Sequence, residues 1–174
     1  MSIAKLAGAL AALALVTASA PAQAASLTDP QIAHIAYTAG VIDIEAAKLA
    51  LKKSKNKEVI AFATNMVRDH EAVNQKALAL VKKLKVTPED NDVSKGLVKQ
   101  ADAERASLAV LDGPAFDKAY ADNEVAYHKA VDGALETTLI PAASNVELKS
   151  LLQTGLKIFQ GHEQHAEHIA SMLK

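Results

Sequence analysis

The chain has 174 residues, with 19 basic and 20 acidic side chains, six histidines and no cysteine or tryptophan. Half of the residues are apolar but only 3% are aromatic, which favours closely packed helices and argues against a β-sandwich or β-barrel. A net charge of -1 excludes a broad basic surface, so no nucleic-acid partner is expected. The lack of cysteine excludes disulfides, thiolate chemistry and cysteine-ligated zinc or iron–sulfur sites.

Residues 1–24 have the pattern of a cleavable signal peptide. Lys5 gives a positive start, residues 6–16 are apolar, and residues 22–24 form a small-x-small cleavage site. The apolar run is too short to span a bilayer, which needs about 20 residues, so a retained anchor is the less favoured reading. We therefore predict an exported, most simply periplasmic, protein with no transmembrane segment after cleavage. Residues 25–174 would then form a single domain with its own core.

The first half of the mature chain predicts a helical hairpin. Thr28 followed by Asp29 and Pro30 is typical of a helix start, and this first helix should end near Lys53. Asn56 is the expected cap of a second helix. That helix carries apolar residues and one histidine at regular 4-3-4-3 spacing, which is typical of a bundle seam: Val59, Ala63, Met66, His70, Val73, Ala77, Leu80 and Leu84.

The second half predicts one shorter helix and two long ones. The shorter helix covers residues 93–111, and the third long helix covers residues 115–139. A turn at residues 141–145 follows, with Ser144 as the expected cap of the fourth long helix. Because the shorter helix spans nearly 30 Å at about 1.5 Å per residue, it can carry the chain back along the bundle. We therefore predict an all-α, ferritin-like four-helix bundle whose fifth, shorter helix lies in the crossover between the second and third long helices.

Three histidines and one aspartate are predicted to meet in this bundle. His70 and His162 occupy seam positions, His128 lies on the inner face of the third long helix, and Asp43 borders the apolar stripe of the first. With the crossover topology, all four fall within about 3 Å of one level along the bundle axis. If the four long helices instead alternated up, down, up and down, His162 would lie at a different level from the other three residues.

Other polar residues form a looser second group about one turn away from the first. These candidates are Glu45, Glu124 and His165. Helical angle alone does not choose between Asp43 and Glu45. Asp69, next to Arg68, is expected in a surface ion pair or in contact with the histidines.

Three imidazoles and a carboxylate from four helices can hold one transition-metal ion such as zinc, copper or iron. The alternative is a metal-free polar core in which each histidine bonds to a carboxylate or backbone group and so fixes helix register. Such a chain would be a structural or stress-related interaction protein. Metal-dependent redox catalysis is the third hypothesis. It is less favoured than a role without catalysis. The sequence identifies no partner and leaves a homo-oligomer open.

Two segments resemble a known family. Residues 62–70 read FATNMVRDH, and residues 113–120 read GPAFDKAY. They resemble the "FAxxMVxDH" and "FDxxY" motifs of a bacterial exported family, domain of unknown function 4142. His128 resembles the histidine of the family's third helix, and residues 162–166 resemble its closing "HxxxA". The likeness covers about residues 31–173.

The resemblance implies an exported, ferritin-like helical bundle without implying a reaction. Members are often described as outer-membrane proteins, although this chain has neither a spanning segment after cleavage nor a cysteine for lipid attachment. The family's usual glutamate on the first helix falls at Asp43. Val67 and Phe159 stand three residues before His70 and His162, so the Glu-x-x-His pairs of di-iron oxidases are missing.

Overall fold

The computed structural model describes residues 27–173, and the predicted signal peptide lies outside this range. Within the described residues every regular element is helical and there is no strand. Five helices make up the fold: α1 (Asp29–Lys53), α2 (Lys57–Leu84), α3 (Asp92–Ala109), α4 (Gly113–Ala134) and α5 (Val146–Met172). This confirms the predicted all-α fold of four long helices and one shorter helix.

The helix starts follow local capping chemistry. The Thr28 side chain accepts a hydrogen bond from the backbone N–H of Gln31, and the Gln31 side chain bonds back to the Thr28 N–H. This reciprocal capping satisfies two donors that the first helical turn leaves without partners. Asn56 caps α2 through its side-chain oxygen, as predicted, and Asn91 caps α3 in the same way.

Contacts at the helix ends establish the topology. The Asp29 carboxylate at the start of α1 accepts hydrogen bonds from the N–H groups of Ser144 and Asn145, which lie beyond the end of α4. At the other end of α1, Lys53 pairs with Asp112, just before α4. Hence α1 and α4 are antiparallel, and the chain makes the crossover that a ferritin-like bundle requires.

Helix α3 forms the crossover connection between α2 and α4. Lys53 at the end of α1 donates to the backbone oxygen of Ala109 at the end of α3, so α3 returns the chain along α1. At the far end, Lys83 of α2 pairs with Glu147 at the start of α5, so these two helices are also antiparallel. The long hairpins α1–α2 and α4–α5 therefore pack side by side.

The end of α4 departs from the prediction. The α-helix stops at Ala134 and continues as a π-helical segment, Leu135–Leu139, and a short turn, Ile140–Ala142. Pro141 has no N–H and its ring clashes with an α-helical carbonyl four residues earlier, which disfavours a regular helix here. The prediction of Ser144 as the next cap was wrong: Asn145 caps α5, while the Ser144 N–H bonds to Asp29.

The apolar core is divided into two clusters. The first surrounds Phe62, Met66 and Tyr120, and the second surrounds Ile32, Leu152 and Phe159. The midpoints of the four long helices carry buried polar side chains between these clusters. Of the helices in residues 27–173, none is long and apolar enough to cross a membrane.

Candidate metal centre

Four buried side chains meet at the middle of the bundle, one from each long helix. Asp43, His70 and His128 are at most 3% exposed, and His162 is 7% exposed. The ring centroids of His70 and His162 lie 5.3 Å apart, and those of His128 and His162 lie 5.6 Å apart. The structure therefore brings together the four residues that the sequence predicted to lie at one level along the bundle axis.

The Asp43 carboxylate contacts two of the imidazoles. Its Oδ2 atom lies 2.9 Å from Nε2 of His70 and 3.4 Å from Nε2 of His128. Neither contact has the geometry of a hydrogen bond, so these buried atoms have no hydrogen-bond partner among the described residues. Buried polar atoms without partners are rare in folded proteins and call for an explanation, such as an ion.

Two histidines are oriented by hydrogen bonds on the side of the ring away from the cluster. Nδ1 of His128 lies 2.9 Å from the backbone oxygen of Glu124, and Nε2 of His162 lies 3.1 Å from Oδ2 of Asp69. If each of these nitrogens carries the proton, the other ring nitrogen presents a lone pair. Those other nitrogens, Nε2 of His128 and Nδ1 of His162, are buried and have no hydrogen-bond partner within residues 27–173.

Asp69 links this arrangement to the surface. Its carboxylate accepts two hydrogen bonds from the Arg68 guanidinium, at 2.7 and 3.0 Å, while also contacting His162. The Arg68 hydrogen bonds hold the pKa of the Asp69 carboxyl below its ordinary value, and the bond to His162 adds to this effect. Asp69 thus forms an ion pair with Arg68 and also contacts His162, the two alternatives that the sequence left open.

An aromatic ring fixes the third imidazole. Phe159 lies one helical turn before His162, and its ring stacks on His70 with centroids 4.5 Å apart and an angle of 7° between planes. This packing restricts the His70 ring to one plane and shields it from water. Since neither His70 nitrogen has a hydrogen-bond partner in the described part of the chain, packing and the Asp43 contact position this side chain.

The protonation states suit metal binding. Burial lowers the pKa of His128 and lowers that of His162 to about 4, so these two imidazoles are neutral at pH 7. Burial raises the pKa of Asp43, but the adjacent His70 and His128 outweigh it and hold the pKa below its ordinary value. Neutral imidazoles beside an ionised carboxylate are the forms that ligate divalent metals.

The three residues of the looser second group, Glu45, Glu124 and His165, do not lie together in the structure. Glu124 is fully buried and lies 3.7 Å from Nδ1 of His128, so it joins the centre. Burial and the Asp43 charge raise the pKa of Glu124 well above its ordinary value. Glu45 is exposed and pairs with Arg105, and His165 packs edge-on against Phe62, so neither reaches the four central residues.

Sequence reasoning missed one buried acid beside this site. Asp132 is 5% exposed, and neither of its carboxylate oxygens has a hydrogen-bond partner among residues 27–173. Burial, together with the nearby Glu163 and Glu136, raises the pKa of Asp132 to about 7. It follows His128 by four residues and therefore shares its helix face, which is the signal that could have identified it.

Donor atoms of His70, His128 and His162 all lie within 4.8 Å of one another, and so do donor atoms of Asp43, Glu124 and His128. The side chains thus offer nitrogen and oxygen ligands from all four long helices, in two groups that share His128. Ligands of these types can hold a divalent transition-metal ion.

The sequence profile of one family, Domain of unknown function (DUF4142), matches residues 14–169. The chain belongs to this family. The family resemblance seen in the two motifs is thereby confirmed. No curated protein matches the sequence.

Two solved structures are similar in fold. One, from Streptomyces coelicolor, is described as a secreted protein, DUF305; it is 12% identical, with a TM-score of 0.66, over 78% of this chain and 87% of its own. The other is CopM in the Cu(II)-bound form; it is 16% identical, with a TM-score of 0.64, over 85% of this chain and 100% of its own. At these identities the likeness establishes the helical, ferritin-like fold.

Proposed function

We propose that this chain is an exported protein that binds one divalent transition-metal ion in the bundle core. The ligands would be His70, His128 and His162, with Asp43 as the oxygen donor. The observation that carries the proposal is the convergence of three buried imidazoles, with donor atoms within 4.8 Å of one another, on a carboxylate.

The hydrogen bonds around the cluster support this assignment. Metal-ligating histidines usually donate their second ring N–H to a carboxylate or a backbone carbonyl, which fixes the tautomer and the ring orientation. His128 has such a contact with the Glu124 carbonyl, and His162 has one with Asp69. In each case the other ring nitrogen is buried and has no hydrogen-bond partner among the described residues.

Copper(II) is the first candidate among the metals. An imidazole and carboxylate donor set suits Cu(II), Zn(II) and Fe(II), and Cu(II) binds such sites most tightly of the divalent first-row ions. The similarity to CopM, which was solved with Cu(II), agrees with this choice. Iron oxidase chemistry is less favoured, because Val67 and Phe159 stand where the paired glutamates of di-iron sites would be.

Export is part of the proposal. The signal-peptide pattern of residues 1–24 supports it, and the Streptomyces coelicolor structure with a similar fold is described as secreted. In this reading the mature domain, residues 25–174, meets its metal outside the cytoplasm.

A metal-free structural role is the competing proposal. It is supported by the contacts that the cluster already makes within the protein, above all the His162–Asp69 hydrogen bond and the 2.9 Å approach of His70 to Asp43. These contacts would select one helix register without an ion. This alternative predicts that neither chelator nor added metal changes the melting temperature.

Titration of the metal-free mature protein with Cu(II), followed by calorimetry against a competing chelator, tests the proposal. Wild type should bind about one equivalent and melt at a higher temperature when loaded. The His128→Ala and His162→Ala variants should lose this high-affinity equivalent. His168→Ala is the matched control, since His168 lies on α5 but is exposed.

Circular dichroism establishes that each variant is folded, and Zn(II) titration of the same samples tests the choice of metal. Equal Cu(II) binding by wild type and by folded His128→Ala and His162→Ala variants would refute the assignment of the site.

A further inference from the structure

The bundle holds a second feature beside the metal centre, a cavity of about 460 Å³ between α1, α3 and α4. We call it the α3 cavity. Side chains of α2 and α5 complete its inner wall. Its volume lies within the range of about 300–1,000 Å³ that is usual for small-molecule sites.

The wall of the α3 cavity is apolar and built largely from small side chains. Ile35 and Ile42 of α1, Leu97 and Ala101 of α3, and Ala130 and Ala134 of α4 face it. Alanines leave space between helices where leucines would fill it. Apolar sites of this kind accept apolar molecules, because a ligand there removes hydrocarbon surface from water.

Two polar side chains of the wall form hydrogen bonds within the protein. The Tyr127 hydroxyl donates to the backbone oxygen of Ala39 at 2.8 Å, and the Asn74 side chain approaches the backbone oxygen of Tyr37 at 3.5 Å. These bonds occupy two of the polar groups that border the cavity, whose wall is otherwise mostly hydrocarbon.

Charge excludes an anionic ligand. Among the described residues that line the α3 cavity, Arg105 is the one basic side chain, and it pairs with Glu45 and Asp102. The inner end is formed by two acids, Asp43 and Glu124, and the ionised Asp43 carboxylate would repel an anion. A carboxylate, sulfonate or phosphate head group would therefore be desolvated without a counter-ion.

From this volume, lining and charge distribution we infer that the α3 cavity binds a neutral apolar molecule, of the class of an uncharged acyl or isoprenoid chain. The ligand lies between α3 and α4, and its inner end reaches the Asp43 and Glu124 side of the centre. This site adjoins the metal centre at Asp43, but none of the three central histidines lines it.

Two fluorescent probes with the same ring system but different charge test the inference. N-phenyl-1-naphthylamine is neutral, and 8-anilinonaphthalene-1-sulfonate is its anionic counterpart. Titrated with metal-free mature protein, the neutral probe should bind about one per chain and at least ten times more tightly than the anionic one. Failure of the neutral probe to bind, or equal binding of the two probes, would overturn the inference.

A matched pair of double variants locates the binding. Ala130→Phe with Ala134→Phe fills the α3 cavity from exposed positions on α4, and should weaken binding of the neutral probe at least tenfold. Ala103→Phe with Ala106→Phe changes exposed positions of α3 that do not line the cavity, and should leave binding unchanged. Circular dichroism confirms the fold of both. Unchanged binding in the filled variant would contradict the assignment, and metal affinity plays no part in the readout.

Discussion

Nε2 of His70 and Oδ2 of Asp43 lie 2.9 Å apart at the midpoints of α1 and α2, in a region where both side chains are buried. The pair does not form a well-directed hydrogen bond, and the same oxygen also approaches His128 at 3.4 Å. An ionised carboxylate held between two imidazoles without bonding geometry is the arrangement expected of ligands around a cation. The predictions below follow from this contact and from the groups that surround it.

Replacement of Asp43 by asparagine should weaken metal binding at least about tenfold, because it removes an ionised carboxylate that contacts both His70 and His128. Competition titration with a coloured chelator measures the change. Asp122→Asn is the control, since that carboxylate pairs with Lys118 at the surface. Equal affinities of the two variants would exclude Asp43 as a ligand.

Replacement of Asp69 by asparagine should reduce metal affinity by about ten- to a hundredfold without removing a ligand. Asp69 accepts from Nε2 of His162, which keeps the lone pair on Nδ1, whereas an asparagine amide can donate and favour the other tautomer. Glu71→Gln, two residues away and exposed, should bind metal as wild type does. A wild-type affinity for Asp69→Asn would show that the His162–Asp69 bond does not orient the ring for binding.

Acidification should destabilise the metal-free protein through His162. Its pKa is about 4 when folded and near 6.5 when unfolded, so the unfolded state binds more protons between these values. The contribution of His162 to stability is therefore present above pH 6.5 and lost as the pH falls towards 4, at no more than about 1.4 kcal/mol per pH unit. Urea unfolding at pH 7, 6 and 5 measures it. The free energy of unfolding of wild type minus that of His162→Phe should decrease as the pH falls. A difference that does not change with pH would contradict the lowered pKa of the buried His162.

Asp132 should make stability depend on pH in the opposite direction to His162. Its pKa is raised from 3.8 to about 7 in the folded protein, so the folded state binds more protons between these values. Its contribution to stability is present below pH 3.8 and is lost as the pH rises towards 7. Asp132→Asn should consequently gain more stability relative to wild type at pH 7 than at pH 5. An equal gain at both values, measured by the same urea titrations, would show that Asp132 titrates normally.

Gly40 should be intolerant of a side chain. A Cβ atom at this position of α1 would lie 2.5 Å from the side-chain oxygen of Asn74, a buried residue one turn beyond His70. Gly40→Ala should therefore destabilise the protein by about 1–3 kcal/mol. A Cβ atom at Gly96 on α3 would meet no atom of residues 27–173 within 4 Å, so Gly96→Ala should stabilise the protein by roughly 0.5–1 kcal/mol. Thermal unfolding compares the two, and equal effects would contradict this close approach of α1 to α2.

The fold was predictable because periodicity and capping act locally. The 4-3-4-3 spacing around His70 and the polar caps at Thr28 and Asn56 specify helices and a tight hairpin without tertiary information. The π-helical segment Leu135–Leu139 escaped prediction because it depends on how the chain before Pro141 adjusts, which no periodicity records.

The candidate centre was predictable only in part. Counting residues along the helices placed Asp43 and the three histidines at one level, because helical rise is constant. The same counting could not separate Glu124, which is buried at the centre, from Glu45, which pairs with Arg105 at the surface. Ring orientation and the α3 cavity depend on distances between helices, which the sequence alone does not provide.

The most direct test is the metal content of the untagged protein after export to the periplasm and purification without chelator. Mass spectrometry should find about one equivalent of a single transition metal per chain, and this equivalent should be lost from the His128→Ala variant. A wild-type protein that is metal-free, and that also fails to bind added Cu(II), Zn(II) or Fe(II), would contradict a metal centre at His70, His128, His162 and Asp43.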